Sequence, residues 1–166
     1  MISWALLQRL ECAVMRGDLR AARRQLDPIW PLFPLSERPE KIWILGFAAY
    51  VQYLNGDERG ALTHADEAAL LVKKGPLVQS YVANPLERLA ELRLLRWKAQ
   101  PPRSKAASAA REEAARAISA LRGIARIFPF AVPPERLQTG LMHLQQGRRE
   151  EALAAWSAGL AQARRL

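Results

Sequence analysis

Three glycines mark places where this chain reverses direction, and an alanine follows each one five residues later: Gly17 with Ala22, Gly56 with Ala61, and Gly147 with Ala152. Each pair joins two stretches whose apolar residues recur at intervals of three and four, the spacing that lines one face of a helix. Glycine enters the left-handed conformation that closes a helix without steric cost. A small residue in the returning helix then lets the two backbones lie close. The clearest copy is Gly140-Leu-Met-His-Leu-Gln-Gln-Gly147-Arg-Arg-Glu-Glu-Ala152-Leu-Ala-Ala-Trp156. A chain built this way folds as successive helical hairpins.

Composition agrees with an all-α class. Half of the 166 residues are apolar, dominated by Ala and Leu, and no short stretch alternates polar and apolar residues as a half-buried strand would. The predicted hairpins cover about 2–29, 40–73, 84–128 and 134–165 of a single domain spanning 1–166. A first helix runs from Ile2 to Arg16, and Asp18 caps the next. Pro28, Pro31, Pro34 and Pro39 make Asp27 to Pro39 a connection, with Trp30 and Phe33 pinning it to its neighbours. Glu40 to Leu54 is apolar on two faces, Asn55-Gly56-Asp57 turns the chain, and Gly75-Pro76 stops the helix from Glu58 to Lys73. Asn84 before Pro85 is a start signal for a helix to Lys98. Gln100-Pro101-Pro102-Arg103 breaks it, and Ser104 caps a long helix to Phe128, with Glu112 and Arg116 paired on its outer surface. The last hairpin runs from Pro134 to Gln146 and from Arg148 to Arg165. Turn glycines separated by 39 and then 91 residues match the period of a helical repeat.

The last hairpin resembles a tetratricopeptide repeat: Gly140 stands at the family's small first-helix position, Gly147 at its turn, Ala152 at its small second-helix position and Trp156 at its large aromatic. His143 replaces the family's common Tyr, and Leu137 is one position from its expected place. In the first hairpin Gly17, Ala22, Leu26 and Pro34 fit but Leu10 replaces the first-helix Gly; in the second, Gly56 and Ala61 fit and Ala65 replaces the aromatic. The spacing also exceeds the family's usual period of about 34 residues. The stretch from Arg126-Ile-Phe-Pro-Phe-Ala-Val-Pro-Pro-Glu-Arg-Leu through Trp156 is similar to the C-terminal helical-repeat region of large bacterial signalling proteins. There the repeats follow a nucleotide cyclase or kinase domain and a signalling ATPase domain. The best match is 104–166. The resemblance implies a right-handed α-solenoid of about four hairpins that serves as a scaffold or regulatory module without activity of its own. Its partner would be a protein, a peptide or another domain of a parent chain. The uncapped helix ending at Leu166 points to a fragment or a closely packed terminus.

No catalytic constellation is apparent, and no cofactor or metal is expected. His64, His143 and Cys12 match no zinc spacing, and Cys12 is expected to be a small buried residue. Lys73-Lys74-Gly75 lacks the rest of a phosphate-binding loop, there is no Gly-x-Ser-x-Gly elbow, and Glu112-Glu113 and Glu150-Glu151 suit the positive ends of helices. No signal peptide is visible, and Ile42 to Asn55 is too short to span a bilayer. A soluble, cytoplasmic protein is expected.

Two surfaces remain as candidates. Trp4, Trp43, Tyr50, Tyr53 and Trp97 all fall on first helices of hairpins, which line the groove in tetratricopeptide-like arrays. They are candidate protein-binding residues, with core packing as the alternative. Residues 86–126 carry ten basic side chains against four acidic ones, within a chain of net charge +9. Arg88, Arg96, Arg103, Arg111 and Arg122 are therefore candidates for an acidic partner or, as a different class of function, for nucleic acid. A solvated helical rim is the alternative there.

Overall fold

The computed structural model describes residues 4–166. Among them are eight α-helices and no strand: α1 (Trp4–Met15), α2 (Leu19–Leu26), α3 (Arg38–Leu54), α4 (Glu58–Lys73), α5 (Ala83–Lys98), α6 (Lys105–Ala125), α7 (Val132–Gln145) and α8 (Arg149–Ala163). Three 3-10 turns, Trp30–Leu35, Ser80–Val82 and Pro129–Ala131, lead into α3, α5 and α7. The expected start of the first helix at Ile2 lies outside the described residues.

The turn between helices is the same structure three times. Gly17, Gly56 and Gly147 adopt φ of 71°, 85° and 76°. Each glycine N–H donates to the carbonyl three residues back (Val14, Tyr53, Leu144), and the next N–H donates to the carbonyl five back (Ala13, Gln52, His143). These paired bonds satisfy carbonyls that a helix end leaves open. Asp18 and Asp57 then cap the returning helices, accepting from Ala21 and Gly60 N–H at 2.9 Å. Arg148 supplies no side-chain cap, and Glu150 and Glu151 in the first turn of α8 offset the positive helix end instead. Ala22, Ala61 and Ala152 are all fully buried.

The backbone forms two compact units, Met1–Leu89 and Ala90–Leu166, with the division inside α5. In the first unit α1 pairs with α2 and α3 with α4, while α3 also packs on α1, α2 and the 3-10 turn at Ser80–Val82. That position explains why α3 is apolar on both sides: Ile42 through Val51 are all buried. Trp43 and Phe47 lie with ring centres 4.4 Å apart. At Gly46 the start of α5 comes close, and a Cβ there would stand 2.7 Å from that of Pro85. The Arg38 guanidinium donates to the carbonyls of Gly75 and Pro76 at 3.2 and 2.6 Å, tying the start of α3 to the segment after α4.

Three local expectations are corrected. The proline-rich connection is shorter than expected, since α3 starts at Arg38 and takes Pro39 into its first turn, where no backbone donor is needed. Glu37 caps it, and the Glu40 carboxylate accepts in return from the Glu37 N–H at 2.8 Å. Asn84 is not an N-cap: α5 grows directly from the preceding 3-10 turn, and the Asn84 amide donates to the Glu11 carboxylate of α1. Cys12 is exposed, because the buried face of α1 runs through Leu7, Leu10, Ala13 and Val14 and Cys12 falls off it.

In the second unit α7 pairs with α8 and packs on α6. Ala90 and Leu94 of α5 close on Ala114 and Ile118 of α6, with Trp97, Leu141 and Met142 around them. Ser104 caps α6 as expected, accepting from the Ala107 N–H at 2.9 Å. The helix ends at Ala125 rather than Phe128, since Phe128 precedes Pro129 and takes the extended conformation that proline imposes on its neighbour. At the α7–α8 contact the backbone of Gly140 lies against the Trp156 indole: a Cβ there would stand 2.1 Å from Nε1.

Gly140→Ala should therefore destabilise the chain by roughly 1–3 kcal/mol, the range for overpacking. Gly123→Ala, at a helical position with nothing within 4 Å, should stabilise it by about 0.5–1 kcal/mol. Urea denaturation of both variants measures this, and a neutral Gly140→Ala would contradict the packing.

Candidate protein-binding surface

The five predicted aromatic residues do not share one environment. Trp43 is fully buried and Tyr50 nearly so, beneath the Arg88 guanidinium at 5.4 Å from its ring centre. Both lie on the inner sides of α3 and offer no surface to a partner, which removes them from the expected groove. Trp97 is half-buried against the cluster of Ala90, Leu94, Ala114 and Ile118. Tyr53 is half-buried, and Trp4 is exposed, with its ring edge-on to Tyr81 at 4.8 Å. Of the connection residues, Trp30 and Phe33 make an edge contact with each other, and Lys41 lies over Phe33.

Three of the five basic candidates, Arg88, Arg96 and Arg122, are engaged within the chain. Arg93 and Arg96 both donate to the Glu113 carboxylate, the former at 2.8 Å. Arg122 Nε donates to Glu135 at 2.8 Å and its Nη2 to Thr139 at 3.2 Å, while the Thr139 hydroxyl also donates to Glu135. Glu135 is only 2% exposed, so these bonds keep a buried carboxylate satisfied. Arg88 pairs with Glu87 at 2.9 Å. Arg103, held at φ 60° in the turn before Ser104, and Arg111 are exposed. The predicted Glu112–Arg116 pair lies on the outside of α6 at 3.7 Å, where solvent leaves it little energetic weight.

A surface that the sequence reading passed over lies on α7 and α8. Leu137 and Leu144, seven residues apart on α7, and Leu153 and Leu160, seven apart on α8, are each 43–61% exposed. Trp156 sits between Leu153 and Leu160 in sequence and donates from Nε1 to the Leu137 carbonyl at 3.2 Å, bridging the two helices. Seven-residue spacing keeps each pair on one side of its helix. Gly140 of α7 meets Trp156 of α8 across the antiparallel pair, and the leucines stand three residues before and four after each of these two, so both pairs fall on the same side of the hairpin. Arg149 and Arg164 continue the α8 stripe by one turn at either end, and both are exposed. The only signal for this surface was a three-and-four spacing, which a covered core stripe shows equally well.

A concavity of about 170 Å³ opens in the first unit between Arg23, Asp27, Trp30, Gln52, Asn55 and Asp57. His64 stands beside it, stacked on Trp30 with ring centres 4.9 Å apart and with Nδ1 2.7 Å from Gln52 Oε1. Burial lowers the His64 pKa below its ordinary 6.5, opposed by the carboxylates of Glu67 and Asp57. Among the described residues, no group of three His, Cys, Asp or Glu side chains is placed to hold a metal ion, and no helix is long and apolar enough to cross a membrane. No protein-family model, curated protein or solved structure matches the chain.

Two outcomes follow. Trp43→Ala should cost about 3–5 kcal/mol of folding stability, as deletion of a buried aromatic does, whereas Trp4→Ala should cost clearly less; equal urea midpoints would place Trp43 outside the core. Because the folded-state pKa of His64 is depressed, the unfolded chain takes up its proton first as pH falls. The His64 contribution is full above pH 6.5 and declines below it. The urea midpoint should drop as pH falls below about 6.5, and His64→Phe, which keeps a ring against Trp30, should reduce that slope. An unchanged slope in the variant would show that other groups set it.

Proposed function

We propose that this chain is a non-catalytic helical-repeat module that binds a protein or peptide partner, or another domain of a parent chain, as a scaffold or regulatory element. In this reading its hairpins stack as a right-handed, tetratricopeptide-like α-solenoid. The observation that carries it is the open apolar surface of α7 and α8: four leucines around a half-buried tryptophan, flanked by arginines. Contiguous apolar surface with a polar rim marks places where another molecule is bound. The threefold recurrence of one hairpin turn supports the repeat architecture. Nucleic-acid binding through residues 86–126 ranks below it, since Arg88, Arg96 and Arg122 are already held by Glu87, Glu113 and Glu135.

Photocross-linking in the source cell from an unnatural residue at position 153 tests the reading, with exposed Ser119 of α6 as the control position. The expected result is a discrete protein adduct formed from position 153 and not from 119. Adducts that disappear on nuclease treatment would contradict it.

A further inference from the structure

Register, more than exposure, says what fits the open face of α7 and α8. Aligned on the turn glycines, Leu137, Leu144 and Trp156 correspond to Leu7, Val14 and Leu26 of the first hairpin, and Leu137 corresponds to Gly46 of the second. Leu7, Val14 and Leu26 are 0%, 7% and 5% exposed, in a hairpin on which α3 packs. Gly46 is closed by Pro85 in the first turn of α5. In the first hairpin α3 packs on both helices of the pair, and in the second Pro85 of α5 meets this face at Gly46. At the equivalent positions of α7 the two leucines remain 45% and 43% exposed, and Leu153 and Leu160 beside them are 61% and 54% exposed. The α7 side of the face is thus of a kind that this fold covers from outside the pair, while the equivalents of Leu153 and Leu160 (Arg23 and Trp30 in the first hairpin, Leu62 and Ala69 in the second) are half-buried or exposed.

Charge narrows the choice of helix. Arg149 and Arg164 sit one turn beyond Leu153 and Leu160 on the same stripe; Glu150 lies at its edge, three residues before Leu153, and Glu151 falls to the other side of α8. A second copy of α8 laid along this stripe would bring arginine against arginine in either orientation, which like-charge repulsion disfavours. An acidic helix has no such conflict.

We propose that the α7–α8 face binds one amphipathic α-helix of a protein partner, with apolar side chains seated across Leu137, Leu144, Leu153 and Leu160 and carboxylates meeting Arg149 and Arg164. This rests on the reading of the chain as a protein-binding module and adds the chemistry of the partner. Helix-in-groove binding uses apolar anchors spaced at three, four and seven residues, and flanking charge sets orientation.

The test uses the full chain and two fluorescent synthetic helical peptides with the same leucine stripe, one flanked by Glu and the other by Lys, read by anisotropy. The Glu peptide should bind at least about tenfold more tightly than the Lys peptide, and less tightly at high salt. Leu153→Ser with Leu160→Ser should weaken it by about tenfold or more. Arg149→Glu with Arg164→Glu, both at exposed positions, should invert the preference between the peptides, with circular dichroism checking that the helical signal is kept. Equal affinities, absence of binding, or indifference to the arginine reversal would overturn the proposal. So would a concentration-dependent dimer in sedimentation that the leucine variant abolishes, because a second copy would then be the occupant. A protein cross-linked from position 153 that carries no acidic amphipathic helix would overturn this partner class and leave the protein-binding reading standing. Nuclease-sensitive adducts would remove both.

Discussion

A helix can turn back along its own flank only if one residue leaves the right-handed basin, and in this chain glycine does so at Gly17, Gly56 and Gly147 with nearly the same φ. Much of the structure depends on that constraint. The left-handed glycine fixes which carbonyls receive the two closing hydrogen bonds, and those bonds set the phase in which the next helix begins. In that phase the residue five positions on always faces the outgoing helix, so Ala22, Ala61 and Ala152 are buried without exception. Where the approach is closest the small residue moves to the first helix, and Gly140 makes room for the Trp156 indole. The α5–α6 connection has no such glycine. It turns instead through Pro101, Pro102 and a left-handed Arg103.

Local chemistry was legible in the sequence wherever a residue acts on its near neighbours. The three glycine turns, the Ser104 cap, the stop at Gly75-Pro76 and the Glu112–Arg116 pair all operate within five residues. What the sequence did not reveal depends on contacts made at long range. Arg93 and Arg96 meet Glu113 on another helix, and Arg122 meets a buried Glu135, so several basic residues that resemble a free patch in sequence are held internally. Asn84 had the form of a cap and serves as a tie to Glu11. Periodicity says that a face is apolar, not what lies on it. Trp43 and Tyr50 on α3 were candidate contacts and belong to the core, whereas Leu153 and Leu160 showed an ordinary core spacing and are open.

The same register thus leads to two outcomes. In the hairpin of α1 and α2 the face beside the turn carries Leu7, Val14 and Leu26, and it is closed. On α7 and α8 the corresponding face carries Leu137, Leu144 and Trp156, with Leu153 and Leu160 alongside, and its leucines are exposed to solvent. Apolar area of this kind gains free energy when it is removed from water, and the arginines at its ends add direction. The repeat accounts for the architecture, and the unequal covering of equivalent faces accounts for where binding is expected.

The most direct measurement of that inequality is hydroxyl-radical footprinting of the full chain, with oxidation rates read residue by residue by mass spectrometry. The account predicts rapid labelling of Leu137, Leu144, Leu153 and Leu160 and strong protection of Leu7, Val14 and Leu26. Protection of the four leucines to the same degree as Leu7 would show that the face is already closed in the isolated chain, and would contradict the account.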